Sequence, residues 1–532
     1  MSRARPGDLD FGAHEKAVRW IEDTPPGLFR EGLPARLAKV KVDAFDGWVR
    51  AAALASTRSI RFEGIGRAPH GLLVLAPVRA SLQGADPDSA RRILAAALLT
   101  VNDEIHHPGF GPYRLQHFDE VPGQGKEGTL FGFLEAVRAG ETDWADHRFA
   151  WLVRNLEKEQ VIDLLLSSGL ECATQGAHKV LAVVEVVALL QALGWEHGWL
   201  WLRPVVRHQA SGGADRREYD LCRDLVASRD LLRLSRRRPP GQASLGESRP
   251  DAFFEQAVAW AESDPPNRME LVAAALASGI PLEDVGELLS LGATLLYLQE
   301  VLRQPDGARN EAELERRMHL ATSVFALRQL VRLGTTGQRI LALVLAAWAH
   351  PARGVRLNPR SPDCGWWLSP ALRLLEKTGP SAAGAPATGA LGSAFPDTGV
   401  APGEGSAAAV DGGRAAGTGL VRSASAADPW AELVRAGQGN GLLPLISERL
   451  EAGLDASALE GPLSLIAADA PMHAGLAVKL ARSFGDAYRT SRSPHRWMHL
   501  WAAGLGMAYW PRQLETGDLR GGGAAATIPV QG

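Results

Sequence analysis

Apolar residues recur at i, i+3, i+4 and i+7 through most of the chain. The clearest stretches are SARRILAAALLTVNDEI from Ser89, FFEQAVAWAESD from Phe253, RMELVAAALASG from Arg268, LEDVGELLSLGATLLYLQEVLR from Leu282 and WAELVRAGQGNGLLPLISERLEAG from Trp430. That spacing follows the 3.6-residue turn of a helix and predicts one buried stripe on each. Alternation of period two is nearly absent. RSIRFEGIG, from Arg58, has the pattern of a short strand, but one strand does not make a sheet. Turn chemistry such as SDPPNRM and RQPDGAR punctuates the helices. The expected fold class is therefore all-α, a multi-helical bundle.

The pattern lapses in three places, and the lapses divide the chain. Residues 379–428 are rich in Gly, Ala, Pro and Ser, almost without aromatics and without helical period, as a flexible, disordered linker would be. SRRRPPGQASLGESRP, residues 235–250, is a second polar break whose consecutive arginines read as a solvated loop. GGGAAATIPVQG closes the chain. The expected organisation is an N-terminal helical region over 1–235, a central one over 250–378, the linker over 379–428, a C-terminal helical region over 429–519 packing on the rest, and a tail over 520–532.

Within the helical regions one arrangement echoes. PHGLLVLAPVRASL from Pro69, AHKVLAVVEVVALLQAL from Ala177, MHLATSVFALRQLVRL from Met318 and MHAGLAVKLARSFGDAY from Met472 each place one imidazole at the head of an apolar helix. Pro77 should kink or end the first of them. The separations are too long and uneven for a solenoid, so the repeating unit is a His-headed helical hairpin with variable insertions. A single histidine on an apolar face usually packs, its ring nitrogens bonded to a carbonyl and a neighbouring side chain. Four at matching positions, His70, His178, His319 and His473, can converge in a helical core, where an imidazole-rich set suits iron, copper or zinc. Glu185, two turns beyond His178, is placed either to orient a ligand or to pair with Arg203.

Other histidines compete less well. His106, His107 and His117 fall in a Gly/Pro-rich stretch that reads as a loop. His197 and His208 stand among Trp195, Trp199 and Trp201, a band that reads as core or a helix interface. His495 and His499 are four residues apart, the spacing of two ligands on one helix face, and form a backup pair. HExxH, GxxxxGK[ST] and GxSxG are missing from the sequence, and the GxGxxG match GQGKEG, from Gly123, directly follows Pro122 and not a strand pattern, which removes the readiest metalloprotease, nucleotide, flavin and hydrolase readings.

Composition narrows the partners. The chain of 532 residues is 46% hydrophobic and 22% charged, and Lys+Arg 57 against Asp+Glu 60 gives a net charge of -3. A near-neutral chain has no global field for nucleic acid or an anionic membrane. Cys172, Cys222 and Cys364 lie far apart without CxxC spacing, so a disulfide framework, a thiolate zinc site and an iron-sulfur cluster are not expected. No apolar run follows the basic start, and ILALVLAAWA is too short to span a bilayer. The expected setting is the cytoplasm.

Several of the quoted segments resemble the questin oxidase-like family and a related set of long bacterial proteins, some associated with Rieske domains. MHLATSVFALRQL, with His319, Thr322 and Ser323, is similar to that family's His-Leu-Val-Thr-Ser helix. PHGLLVLAPVRA resembles its early Asn-His segment, with Pro69 in place of asparagine. AHKVLAVVEVVALLQALGWEHGWLWLRPVVR resembles the bacterial set's Gly-His-Lys-Ala-Ile segment, and AVKLARSF, with Lys479 and Arg482, a C-terminal Lys-Leu-x-Arg helix.

The resemblance implies an oxidoreductase: an oxygenase acting on a small hydrophobic aromatic substrate, a quinone or polyketide-type molecule. Its non-haem iron would be held by His70, His178, His319, His473 and Lys479, with Glu185, Thr322, Arg203 and Arg482 around the metal or the substrate. The family pattern His-x-x-Lys is not kept, since Leu476 stands three residues before Lys479 and His473 six before it. Six residues turn about 240° on a helix, so both side chains reach one ion only if the helix is distorted. A lysine ligand must also be neutral or carboxylated, because an ammonium has no lone pair. The rival expectation is a non-catalytic helical scaffold or ligand-binding protein of a multi-protein assembly, with the tryptophan-rich surface facing its partner.

Overall fold

The computed structural model describes residues 10–58, 68–83, 85–107, 120–173, 178–212, 216–236, 250–303, 311–348, 357–358, 429–452, 460–470 and 474–510. RSIRFEGIG from Ser59 on, the 379–428 linker and the 520–532 tail lie outside them, as do Cys364, His117 and His473.

Each periodic stretch folds as a helix, and among the described residues there is no strand. The N-terminal region holds α1 (Glu15–Asp23), α2 (Pro26–Leu37), α3 (Phe45–Arg58), α4 (His70–Leu73), α5 (Leu75–Leu82), α6 (Pro87–Ile105), α7 (Gly125–Ala139), α8 (Thr142–Asn155), α9 (Lys158–Glu171), α10 (His178–Leu193), α11 (Gly198–Ala210), α12 (Arg217–Ser228) and α13 (Leu231–Arg236). The central region holds α14 (Pro250–Glu262), α15 (Pro265–Ala277), α16 (Leu282–Arg303), α17 (Glu311–Leu333) and α18 (Thr336–Trp348). The C-terminal region holds α19 (Pro429–Arg435), α20 (Leu442–Glu451), α21 (Glu460–Ala468), α22 (Ala474–Thr490) and α23 (Trp497–Ala508).

Local chemistry sets the ends. Asp86 caps α6, its carboxylate accepting the amides of Asp88 and Ser89 at 3.1 Å, with Pro87 at the first helical position. Asp264 and Pro265 repeat the device at α15. Pro77 has no N–H for the Leu73 carbonyl and its ring crowds it, and the helix accordingly breaks at Val74, between α4 and α5. The stretch from Trp430 is two helices where one was expected. Gly437, at φ +70°, turns the chain between α19 and α20, a conformation open to glycine at little cost. His319 is likewise not at a helix head. The run Glu311–Arg317 continues the helix, with a Glu313–Arg317 ion pair of 3.0 Å across one turn, and places His319 inside α17. Among the described residues the His-headed description holds for α4 and α10, and the fourth copy's His473 lies outside them.

The expected regions divide the chain but not the core. One continuous cluster of buried side chains runs from Phe11 to Trp510. α22 packs on α5, α6 and α17, and α23 packs on α16, so the C-terminal helices complete the same interior as the N-terminal ones. α16 is long and apolar enough to cross a membrane by length and composition, yet 94% of its most apolar window is buried among α14, α17 and α23. A helix apolar on all sides is explained by that central position.

Two polar clamps fix the helices that flank the site. Arg203 of α11 bonds Asp146 of α8 through two contacts of 2.8 Å, both residues fully buried, and Arg207 reaches Asp146 at 3.3 Å and Asp143 at 2.9 Å. Gln209 donates to the carbonyls of Leu165 at 2.8 Å and Lys179 at 3.2 Å, and Lys179 Nζ donates to Gln209 O at 2.7 Å and Ser211 O at 3.0 Å. The start of α10 is thereby locked to the end of α11. Arg203 is thus a partner of Asp146.

Candidate functional site

Three of the four matched histidines come together. His178 begins α10, His319 lies in α17 and His70 begins α4. The Nε2 atoms of His178 and His319 are 2.9 Å apart, with ring centroids at 4.2 Å and planes near perpendicular. The His70 ring stands 5.1 Å from that of His178, also edge to face. All three residues are half-buried, and both ring nitrogens of His70 are shielded from solvent.

Burial holds the His178 imidazole well below its ordinary pKa, and the neighbouring His319, His70, Lys479 and His208 add to the effect by disfavouring a further positive charge. A neutral ring keeps a lone pair, the state in which imidazole binds a cation or accepts a hydrogen bond.

Lys479 of α22 is 1% exposed, an unusual depth for an ammonium-bearing side chain, and it lies within electrostatic reach of both His178 and Glu185. Glu185 is half-buried on α10, and burial raises its carboxyl pKa against the opposing pull of Lys479. Arg482, one turn beyond Lys479, pairs with Asp486 at 3.1 Å. Thr322, expected near the ligand, donates its hydroxyl to its own helix at Met318 O, 2.9 Å away.

The backup pair straddles the boundary between two elements. His495 precedes α23 in a 3-10 turn and packs on Phe254 at 5.0 Å, whereas His499 lies inside α23 and bonds Thr294 at 2.8 Å. The change from a 3-10 turn to an α-helix between them breaks the register that four-residue spacing assumes. Trp201 is fully buried, while Trp195 and Trp199 remain half-buried beneath Lys158 and Arg154.

His208, in the band whose sequence reads as core or a helix interface, lies close to the site. It is 5% exposed, and burial, with Lys179 and His70 nearby, pushes its pKa down to about 3. Its neighbourhood with His70 and His178 follows from the Lys179–Gln209 clamp between α10 and α11, which no local motif announces.

The chain matches no family model, no curated protein and no solved structure. Among the described residues no group of three or more His, Cys, Asp or Glu side chains is arranged to hold a metal ion. The geometry on which a functional reading draws is therefore the His178–His319 pair with His70 and Lys479 beside it.

Proposed function

We propose that this chain is an oxygenase-like non-haem metal enzyme acting on an aromatic, quinone or polyketide-type small molecule. Its metal, expected to be iron, is bound by histidines from several helices. The observation that carries the reading is the 2.9 Å between the Nε2 atoms of His178 and His319, residues 141 positions apart on different helices. Two imidazoles bound to one ion at about 2.0–2.1 Å place their nitrogens roughly 3 Å apart. The low pKa of His178 favours the neutral, ligating state. His70 and Lys479 are the adjacent groups that would extend the donor set, and the buried surroundings would bind an apolar substrate. A redox-active metal there would supply the activation of dioxygen.

The same 2.9 Å separation also fits a hydrogen bond from one imidazole N–H to the lone pair of the other. Together with the lack of a three-donor group among the described residues, it favours a second reading, a helical scaffold or ligand-binding protein without catalysis. Metal analysis of the purified full chain separates the two. Bound iron in the wild type, sharply reduced in His178→Ala and His319→Ala, supports the enzyme. A metal-free wild type that takes up none when offered it supports the scaffold.

A further inference from the structure

α4 carries His70 but is a single turn, too short to hold its own conformation in isolation. It is held from outside by α6. The Glu104 carboxylate accepts the amide N–H of Gly71, the residue after His70. The approach is close enough that a Cβ on Gly71 would stand 2.9 Å from Glu104 Oε2 and 3.2 Å from Val101 Cα, so only glycine fits there without displacement.

The same turn of α6 meets the helix that carries Lys479. A Cβ on Gly475 would overlap Thr100 Oγ1 and stand 2.9 Å from Thr100 Cβ. Thr100 is itself fixed, its hydroxyl donating to Ala96 O at 2.8 Å. Gly475 is one turn before Lys479 on the same face of α22. Residues Thr100 to Glu104 thus touch both helices that deliver site residues, each through a glycine contact.

We propose that Glu104 is a positioning residue for the histidine site, fixing His70 through the Gly71 amide, and that Thr100 on the same turn of α6 sets the approach of Lys479 through Gly475. The proposal rests on the metal reading above. Glu104 does not need to touch a ligand for this; it holds the backbone from which the His70 ring projects, as outer groups around a metal site commonly do. Glutamine retains an oxygen that accepts the Gly71 amide, and alanine does not.

The test uses the full-length chain as wild type, Glu104→Gln, Glu104→Ala, His70→Ala and the Glu104→Ala/His70→Ala double variant. Each is titrated with cobalt(II) by visible absorption, and thermal melting reports on folding. Glu104→Ala should weaken cobalt binding about 10- to 100-fold, the usual effect of losing an outer-sphere partner. Glu104→Gln should stay within about threefold of wild type, and the double variant should bind no more weakly than His70→Ala alone, because both changes act through one ring.

Wild-type affinity in Glu104→Ala, or losses that add in the double variant, would overturn the positioning role. If the wild type takes up no cobalt, the metal reading fails, and the apoprotein labelled with carbon-13 histidine decides the role of Glu104. The His70 signal, identified by its loss in His70→Ala, should move in Glu104→Ala and stay in place in Glu104→Gln; an unmoved signal in both overturns the proposal. Should Glu104→Ala not fold, Glu104→Asp, which shortens the reach to the Gly71 amide, carries the same readouts.

Discussion

Replacing Asp146 with alanine removes a carboxylate that makes two contacts to a guanidinium buried inside the bundle. Arg203 is 1% exposed and Asp146 0%, and their two contacts are each 2.8 Å. Removing one partner of such a pair costs about 3–5 kcal/mol, because the remaining charge stays in a low dielectric without its counterion. Against a typical total of about 5–15 kcal/mol, that is a large share of the stability. Asp143 makes a superficially similar bond, 2.9 Å to Arg207, but its side chain is 70% exposed, so its removal should cost only about 0–1 kcal/mol. Because a buried ion pair contributes little more than an apolar pair of the same volume, Asp146→Leu combined with Arg203→Met should recover most of the loss. Urea unfolding followed by tryptophan fluorescence measures all four proteins. A midpoint for Asp146→Ala as high as that of Asp143→Ala would refute the reasoning.

Further outcomes follow from the same buried groups. Burial and the nearby Arg328 push His499 down to about 3 from its ordinary 6.5. The neutral ring is favoured in the folded state, so its contribution is full above pH 6.5 and is lost as the pH falls toward 3, at roughly 1.4 kcal/mol per pH unit. His499→Gln should flatten the acid limb of stability measured by denaturant midpoints between pH 6 and about 4, and an unchanged slope would contradict the assignment. Gln209→Leu deprives the buried carbonyls of Leu165 and Lys179 of a donor and should cost about 1–3 kcal/mol in the same assay. It should also weaken any metal binding at His178, since Lys179 is the residue through which Gln209 fixes the start of α10.

The helices were legible because their apolar period is dense: α6, α14, α15 and α16 lie where the pattern put them, and the break at Val74 follows from Pro77. Gly437 was an ordinary letter in an amphipathic run, and its positive φ divides that run into α19 and α20. In the sequence His319 reads as a helix head because charge precedes it, yet Glu and Arg are good helix formers and extend α17 back to Glu311. His70, His178 and His319 could be selected from the sequence because each lies in an apolar stretch. The positions of His208, Asp146 and Glu104 depend on which helix packs beside which, and that is a property of the assembled core. The i, i+4 spacing of His495 and His499 assumes a regular helix, and a 3-10 turn holds the first of them.

The central claim is that His178 and His319 share a metal ion, and the most direct measurement is the iron content of the purified full-length chain by plasma mass spectrometry, beside His178→Ala and His319→Ala. The account predicts close to one iron per chain in the wild type and a loss of most of it in each variant, with melting temperatures confirming that both variants fold. A wild type that holds no metal even after incubation with ferrous iron, or variants that hold as much as the wild type, would contradict it.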